Sequence, residues 1–146
     1  MSKQRQARDL QAEAERTLRE SAGPGLVSAY LFGSHARGTA HRESDVDIAV
    51  LLAREHYPDA DDRFEARVTL TSSLTAALGP GYEVDLVVLN DAPPTLARRI
   101  VVEGRRILCA DAAKDHDFVR DAQLRAADLA PFLRRTARVK LAAIRR

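Results

Sequence analysis

Cysteine is nearly absent from this chain, which contains a single one, Cys109, among 146 residues. An internal disulfide is therefore excluded, and no cluster of His or Cys accompanies Cys109 at the spacing of a zinc site. Long apolar runs are also missing, and the N-terminal stretch MSKQRQARDL lacks the apolar core of a signal peptide. These absences predict a cytoplasmic protein that has no internal disulfide and does not enter a membrane.

Aromatic residues are scarce as well, at 5% of the chain, and tryptophan does not occur. Stacking of bases on aromatic side chains, which supports single-stranded nucleic-acid binding, therefore has little basis here. The net charge of +2 is close to balance, so we expect no direct binding to nucleic acid. Hydrophobic residues make up 45% and charged residues 30%, which predicts one globular domain spanning residues 1–146.

The apolar pattern predicts an α+β fold, in which a mixed β-sheet is packed by helices on one side. Apolar residues recur every three to four positions in the segments expected to be helical, which are Lys3–Glu20, Asp61–Leu78, Thr95–Glu103 and Lys114–Arg146. Apolar runs of strand length occur at Leu26–Phe32, Val46–Leu52 and Tyr82–Leu89. Residues 113–146 form a C-terminal helical extension, which we expect Pro131 to kink or split.

Three aspartates lie in or next to the second and third predicted strands. Because side chains alternate along a strand, Asp45 and Asp47 project from one face, whereas Val46 and Ile48 project from the other. Two neighbouring carboxylates raise each other's pKa unless a cation lies between them. Asp85, within the run EVDLVVL, is either an edge-strand acid in solvent or a residue of the site. The site is favoured, because a carboxylate in such a strand is costly to bury unless it is paired or binds a metal. An all-oxygen site made of these three acids suits magnesium or manganese better than zinc.

A glycine-serine pair, Gly33-Ser34, follows the first predicted strand. Glycine permits a tight turn and the close approach of a ligand, and a helix that begins at Ser34 would direct backbone N–H groups at a phosphate. The alternative is an ordinary turn with Ser34 as the helix N-cap, and the carboxylates that follow favour the phosphate site. Arg37 either binds phosphate or pairs with Asp45 or Glu43.

Arginines cluster in two further places. Four lie around the end of the third predicted helix, namely Arg98, Arg99, Arg105 and Arg106. These four either neutralise the phosphates of a nucleotide, bind an acidic partner or remain solvated. Beyond Pro131 the chain has six basic residues and no acid. This tail either docks a partner protein, contacts RNA or packs back on the sheet, and docking of a partner protein is favoured.

The spacing of these motifs resembles that of a known family. Gly33-Ser34, ten intervening residues, Asp45-x-Asp47 and the later strand aspartate Asp85 resemble the signature of the nucleotidyltransferase fold shared with DNA polymerase beta. The stretch GSHARG together with SDVDIAV is similar to the minimal nucleotidyltransferases of the MNT type, which form the antitoxin half of HEPN-MNT pairs. The resemblance covers most of the chain.

This resemblance implies a nucleotidyltransferase fold and the transfer of AMP from ATP, with two magnesium ions as cofactors. In such a site Asp45 and Asp47 bridge both ions, and Asp85 binds the ion that activates the acceptor hydroxyl and takes its proton. Gly33 and Ser34 hold the β and γ phosphates. The implied partner is a HEPN-type ribonuclease toxin, which is silenced when AMP is added to its tyrosine, and a hetero-oligomer of the two proteins is compatible with that reaction.

Two other functions fit the same residues. A transferase for a small molecule, such as an aminoglycoside, would modify its substrate without a protein partner. A binding module would neutralise a toxin by covering it, and would still protect cells after Asp47→Ala. Catalytic antitoxin action predicts the opposite, because the loss of Asp45 or Asp47 would abolish transfer.

Overall fold

A computed structural model describes residues 3–38 and 45–145 of the chain. In chain order the helices and strands of these residues are α1 (Lys3–Ala22), β1 (Leu26–Phe32), α2 (Ser34–Arg37), β2 (Val46–Leu52), α3 (Ala60–Leu78), β3 (Val84–Val88), α4 (Pro94–Glu103), β4 (Arg105–Cys109) and α5 (Ala112–Arg145). Short 3₁₀ turns occupy Gly23–Gly25 and Leu89–Asp91. In these stretches no helix is long and apolar enough to span a bilayer.

The four strands form one mixed sheet in the order β3-β2-β1-β4. β1 pairs with β2 and with β4 in antiparallel orientation, whereas β2 and β3 are parallel. A parallel pair requires a crossover connection, and α3 supplies it between β2 and β3. The fold is therefore α+β with a mixed sheet, as the sequence predicts.

Helices cover both faces of this sheet. On one face α1 and α3 pack on the strands, and Leu18, Leu74 and Ile48 are among the buried residues. On the other face α4 and α5 contribute Ile100 and Ala122 to a second core. The expectation that helices lie on one side was therefore wrong. β1 and β2 are buried at nearly every position, and strands that are apolar on both faces need a cover on both.

The two central strands have their predicted bounds, and β3 begins at Val84 rather than at Tyr82. β4 was not among the strands predicted from the sequence, in which Ile107–Ala110 is only a short apolar run. Arg105 and Arg106 extend that run into a strand along the edge of β1, where their side chains stay exposed. Pairing with a neighbouring strand thus outweighs the low strand propensity of this segment.

α5 continues through Pro131, so of the two predicted effects, a kink or a split, the split does not occur. A helix tolerates an internal proline when a local bend accommodates the ring and the lost hydrogen bond. Of the six basic side chains beyond Pro131, that of Arg135 belongs to the described part and is exposed. The predictions for the other five fall on side chains outside it.

The start of α5 is fixed to the sheet by a buried carboxylate. Asp115 is 2% exposed and accepts a hydrogen bond of 2.7 Å from the Tyr30 hydroxyl and one of 3.0 Å from Arg106 Nη1. Burial and the bond to Asp115 raise the pKa of Tyr30 well above its ordinary value. The buried carboxylate thus has two hydrogen-bond donors, a hydroxyl from β1 and a guanidinium group from β4. These bonds fix α5 relative to both strands.

Candidate active site

Asp45 and Asp47 lie at the start of β2. Val46 and Ile48 alternate with them and are fully buried in the core beneath α1 and α3. Asp47 therefore projects from the opposite face, where it is partly exposed, and Asp45 precedes the strand in an exposed position. The predicted division of this segment into a core face and a carboxylate face holds.

Asp85 is brought to Asp47 by the register of the sheet. In the parallel pair of β2 and β3, the Cα of Asp47 lies opposite that of Asp85. Residues directly opposite one another project from the same face, so the two carboxylates share one surface. Val84 and Leu86 pack on the other side, in the core. The backbone therefore confirms that Asp85 lies on the same face as Asp47. Asp85 is nevertheless exposed on the edge strand β3, so the argument that it is costly to bury does not apply.

The three acids influence each other electrostatically. Burial raises the pKa of Asp47 above its ordinary value, and the charges of Asp85 and then Asp45 raise it further. His35 and Arg37 act in the opposite direction and lower the same pKa, by smaller amounts. Asp47 thus lies at the centre of a negatively charged group with a partly basic border, which is a favourable position for a cation.

Gly33 follows β1 and lies against Asp47. Its backbone has φ 71° and ψ −151°, a conformation that essentially only glycine adopts. A Cβ atom added to Gly33 would overlap Asp47 Oδ2. Two independent constraints therefore require glycine here, namely the backbone conformation and the close approach of the turn to the carboxylate.

α2 begins at Ser34, as expected, but it is only four residues long. Gly33 is its N-cap and provides no side-chain cap, so the alternative in which Ser34 caps the helix does not hold. The backbone N–H of Arg37 donates to Gly33 O over 3.2 Å and closes the turn. Among the described residues Arg37 makes no ion pair with Asp45, and Glu43, its other candidate partner, lies outside them.

A pocket of about 250 Å³ opens between this turn and the C-terminal half of α4. Its lining consists of Phe32, Gly33, Arg37, Asp47, Leu96, Arg99, Ile100, Glu103 and Gly104. Three residues predicted for the site thus meet at one cavity. A larger cavity of about 470 Å³, near the opposite ends of β2 and β3, contains none of the predicted site residues.

Arg99 is the site residue that sequence reasoning did not single out. Four arginines around the end of α4 were equivalent candidates, and the structure separates them. Arg99 lines the pocket, whereas Arg106 binds Asp115 and Arg105 donates to Gln11 Oε1 at 3.3 Å. A usable signal was present, because Arg99 is three residues from Leu96 and adjacent to Ile100, which mark the inward face of the helix.

The carboxylates do not form a finished metal site. Within residues 3–38 and 45–145, no group of three or more His, Cys, Asp or Glu side chains is arranged to hold a metal ion. The backbone nevertheless aligns Asp47 with Asp85, and the exposed side chains of Asp45 and Asp85 can change rotamer. Carboxylate oxygens are the ligands that hard divalent cations prefer. The donor set therefore fits magnesium or manganese, and binding would require rotation of side chains.

Gly33→Ala tests the close approach of the turn to Asp47. We expect it to lower the free energy of unfolding by about 1–3 kcal/mol, because the new side chain meets both a disfavoured backbone conformation and Asp47. Gly81→Ala is the matched control, since a Cβ there meets no atom within 4 Å. Urea denaturation of both variants makes the comparison, and equal stability of the two would contradict the argument.

Asp47→Asn tests the repulsion among the acids. The folded chain raises the pKa of Asp47, so stability is lost as pH rises from the ordinary value of 3.8 through the raised one. The amide cannot ionise, and we therefore expect Asp47→Asn to increase the free energy of unfolding at pH 7 and to have little effect below pH 3.8.

The gain is a fraction of a kcal/mol, since Asp47 is partly exposed and its interactions are screened. Denaturation at several pH values measures it, with Asp128→Asn on the exposed side of α5 as the control. A lower stability of Asp47→Asn at pH 7 would show that the carboxylate is held by favourable contacts instead.

Comparison with known proteins identifies relatives along most of the chain. The Shewanella oneidensis protein adenylyltransferase MntA is 43% identical over 84 residues, which are 58% of this chain and 55% of the relative. The matched segment thus spans about half the length of that protein.

Solved structures match over a longer range. A crystal structure of a toxin-antitoxin with AMP-PNP is 29% identical, covers 93% of this chain and 98% of the matched one, and has a TM-score of 0.63. A mutant of the toxin-antitoxin MntA-HpeT, with two aspartates two positions apart changed to glutamate, is 27% identical with the same coverage and a TM-score of 0.62.

The family model described as polymerase beta, nucleotidyltransferase matches residues 13–113. This range is more than half of the chain and contains Gly33, the aspartate pair of β2 and Asp85. The sheet order, the paired acids and this match agree, and the chain belongs to the polymerase beta nucleotidyltransferase family.

Proposed function

We propose that this chain transfers AMP from ATP to a hydroxyl group of a HEPN-type toxin, with tyrosine as the expected acceptor, and thereby acts as its antitoxin. The observation that carries the proposal is the register that sets Asp47 opposite Asp85 beside the Gly33 turn. The 43% identical relative is a protein adenylyltransferase, and the 29% identical structure is a toxin-antitoxin with the ATP analogue AMP-PNP. The identity of the toxin and of the acceptor residue rests on the family resemblance.

Magnesium fits the carboxylate donor set, and Asp45, Asp47 and Asp85 are the residues that would hold it. When bound, two such ions would stabilise the charge on the attacking and leaving oxygens. Spacing offers further support, because the two aspartates changed in the mutant toxin-antitoxin structure lie two positions apart, as Asp45 and Asp47 do. We also propose that ATP is the substrate, that residues 1–146 form one domain and that the protein is located in the cytoplasm.

In this reaction the residues on the two sides of Asp47 have different roles. On one side, the Gly33-Ser34 turn and Arg37 would receive the β and γ phosphates, and Gly33 and Arg37 line the pocket there. On the other side, Asp85 is exposed and within the influence of Asp47, in a position to take the proton of the acceptor hydroxyl. The acceptor would therefore approach from the β3 side, where solvent now reaches Asp85.

Labelling with α-³²P-ATP tests the proposal directly. The unmodified chain, magnesium and a cognate HEPN toxin should yield a labelled toxin, and Asp47→Ala and Asp85→Ala should reduce the rate roughly 100-fold or more. Asp128→Ala is the control, because this acid is exposed on α5, outside the site. Co-expression in cells should show loss of protection for the same two variants.

Two outcomes would contradict the proposal. If Asp47→Ala remains folded and protects cells as well as the unmodified chain, neutralisation proceeds by binding alone. If the purified chain labels an aminoglycoside and leaves the toxin unlabelled, the acceptor is a small molecule. Circular dichroism of each variant establishes that it is folded.

A further inference from the structure

Arg99 forms part of the pocket wall opposite the Gly33 turn. The turn supplies Gly33 and Arg37, and α4 supplies Arg99 and Glu103. Two guanidinium groups thus border one cavity. Asp47 lies on the side of the cavity that faces the other two aspartates. Because a guanidinium group donates several hydrogen bonds in a planar array, a pair of them suits an anion with many oxygens, such as a di- or triphosphate.

The size of the pocket indicates which part of a nucleotide it takes. At about 250 Å³ it is smaller than the roughly 300–1,000 Å³ of pockets that enclose a whole small ligand. It is therefore suited to a fragment, and its two arginines, Arg37 and Arg99, favour phosphates over a base and ribose. The terminal phosphates are the fragment that would reach furthest past Asp47 along the Gly33 turn.

We propose that Arg99 binds the terminal phosphates of the nucleotide and positions the pyrophosphate leaving group. This inference rests on the proposed function and adds a residue to it. Arg98, next to it on α4, is exposed and does not line the pocket, so the two arginines differ in position and not in charge.

Arg99 can move to a phosphate at little cost. Its Nε lies 3.8 Å from Glu103 Oε2, and the side chains are 70% and 65% exposed. A long ion pair between exposed groups contributes little to stability. The guanidinium group would therefore exchange this contact for a more highly charged phosphate, and Glu103 would remain on the same wall as a competing negative charge.

The proposed contact of Arg99 with the phosphates affects the bond that breaks in the reaction. The acceptor oxygen attacks the α phosphorus and forms the new P–O bond, its proton passes to the Asp85 carboxylate, and the bond from the α phosphorus to the bridging oxygen of the pyrophosphate breaks. Negative charge develops on the departing pyrophosphate. Hydrogen bonds from Arg99 to those oxygens would stabilise that charge and hold the leaving group in line.

Calorimetric titration with AMP-PNP and with AMP, both with magnesium, separates this contact from a structural role. AMP lacks the terminal phosphates, so Arg99→Ala should weaken AMP-PNP binding about tenfold and leave AMP binding unchanged. Arg98→Ala should change neither, and Arg99→Lys should recover part of the loss. Glu103→Gln should tighten AMP-PNP binding about twofold, because a competing negative charge is removed.

Three results would overturn the inference. Equal AMP-PNP affinity of Arg99→Ala and Arg98→Ala would show that Arg99 does not contact phosphate. Equal weakening of AMP and AMP-PNP would show that it does not act on the terminal phosphates. Weakening by Glu103→Gln as large as that by Arg99→Ala would show that their ion pair shapes the pocket. Failure of the unmodified chain to bind AMP-PNP would reject the proposed function itself, a result distinct from the other three.

Discussion

The parallel register of β2 and β3 is the constraint on which the rest of the site depends. It sets Asp47 opposite Asp85, an arrangement that the two carboxylates by themselves oppose through repulsion. Hydrophobic burial holds it in place, since Val46, Ile48 and Leu86 on the reverse face are at most 1% exposed. The sheet therefore maintains a concentration of negative charge, which lowers the stability of the fold and which a divalent cation would relieve.

The antiparallel neighbour, β1, brings the Gly33 turn to the same point. Phe32 pairs with Asp47 across the ladder, so the turn that follows begins directly beside the carboxylate. At the other side of the pocket, a Cβ on Gly104 would overlap the carbonyl oxygen of Ile100 and lie 3.1 Å from that of Leu31. Glycines thus permit close approach both at the turn and at the end of α4. Both glycines line the pocket that Arg99 also lines.

Much of this arrangement can be predicted from the sequence, for physical reasons that differ between its parts. The strands β1 and β2 are continuous apolar runs, and the alternation around Asp47 is local, so both follow from the order of residues. The meeting of Asp47 with Asp85 depends on register, which the chain encodes through the apolar faces of both strands. The spacing of the motifs indicated the family, which the match over residues 13–113 confirms, and the roles of the acids remain proposals that rest on it.

The parts that sequence analysis missed depend on contacts between distant segments. β4 forms because its residues pair with the free edge of β1. The second layer of helices is needed because the central strands are apolar on both faces. The choice of Arg99 among four nearby arginines depends on how α4 lies on the sheet, and the spacing of Arg99 from Leu96 and Ile100 is the one local signal of it.

The account's central claim is that carboxylates from separate strands act together as ligands of divalent cations, and binding of Mn²⁺ measures it most directly. Electron paramagnetic resonance can count the ions bound to the unmodified chain, to Asp85→Asn and to Asp128→Asn, each with AMP-PNP. The account predicts two ions per chain for the unmodified protein and for the Asp128 variant, and the loss or marked weakening of one ion for Asp85→Asn. Identical binding by all three proteins would contradict it, because Asp85 would then lie beside Asp47 without sharing its cation.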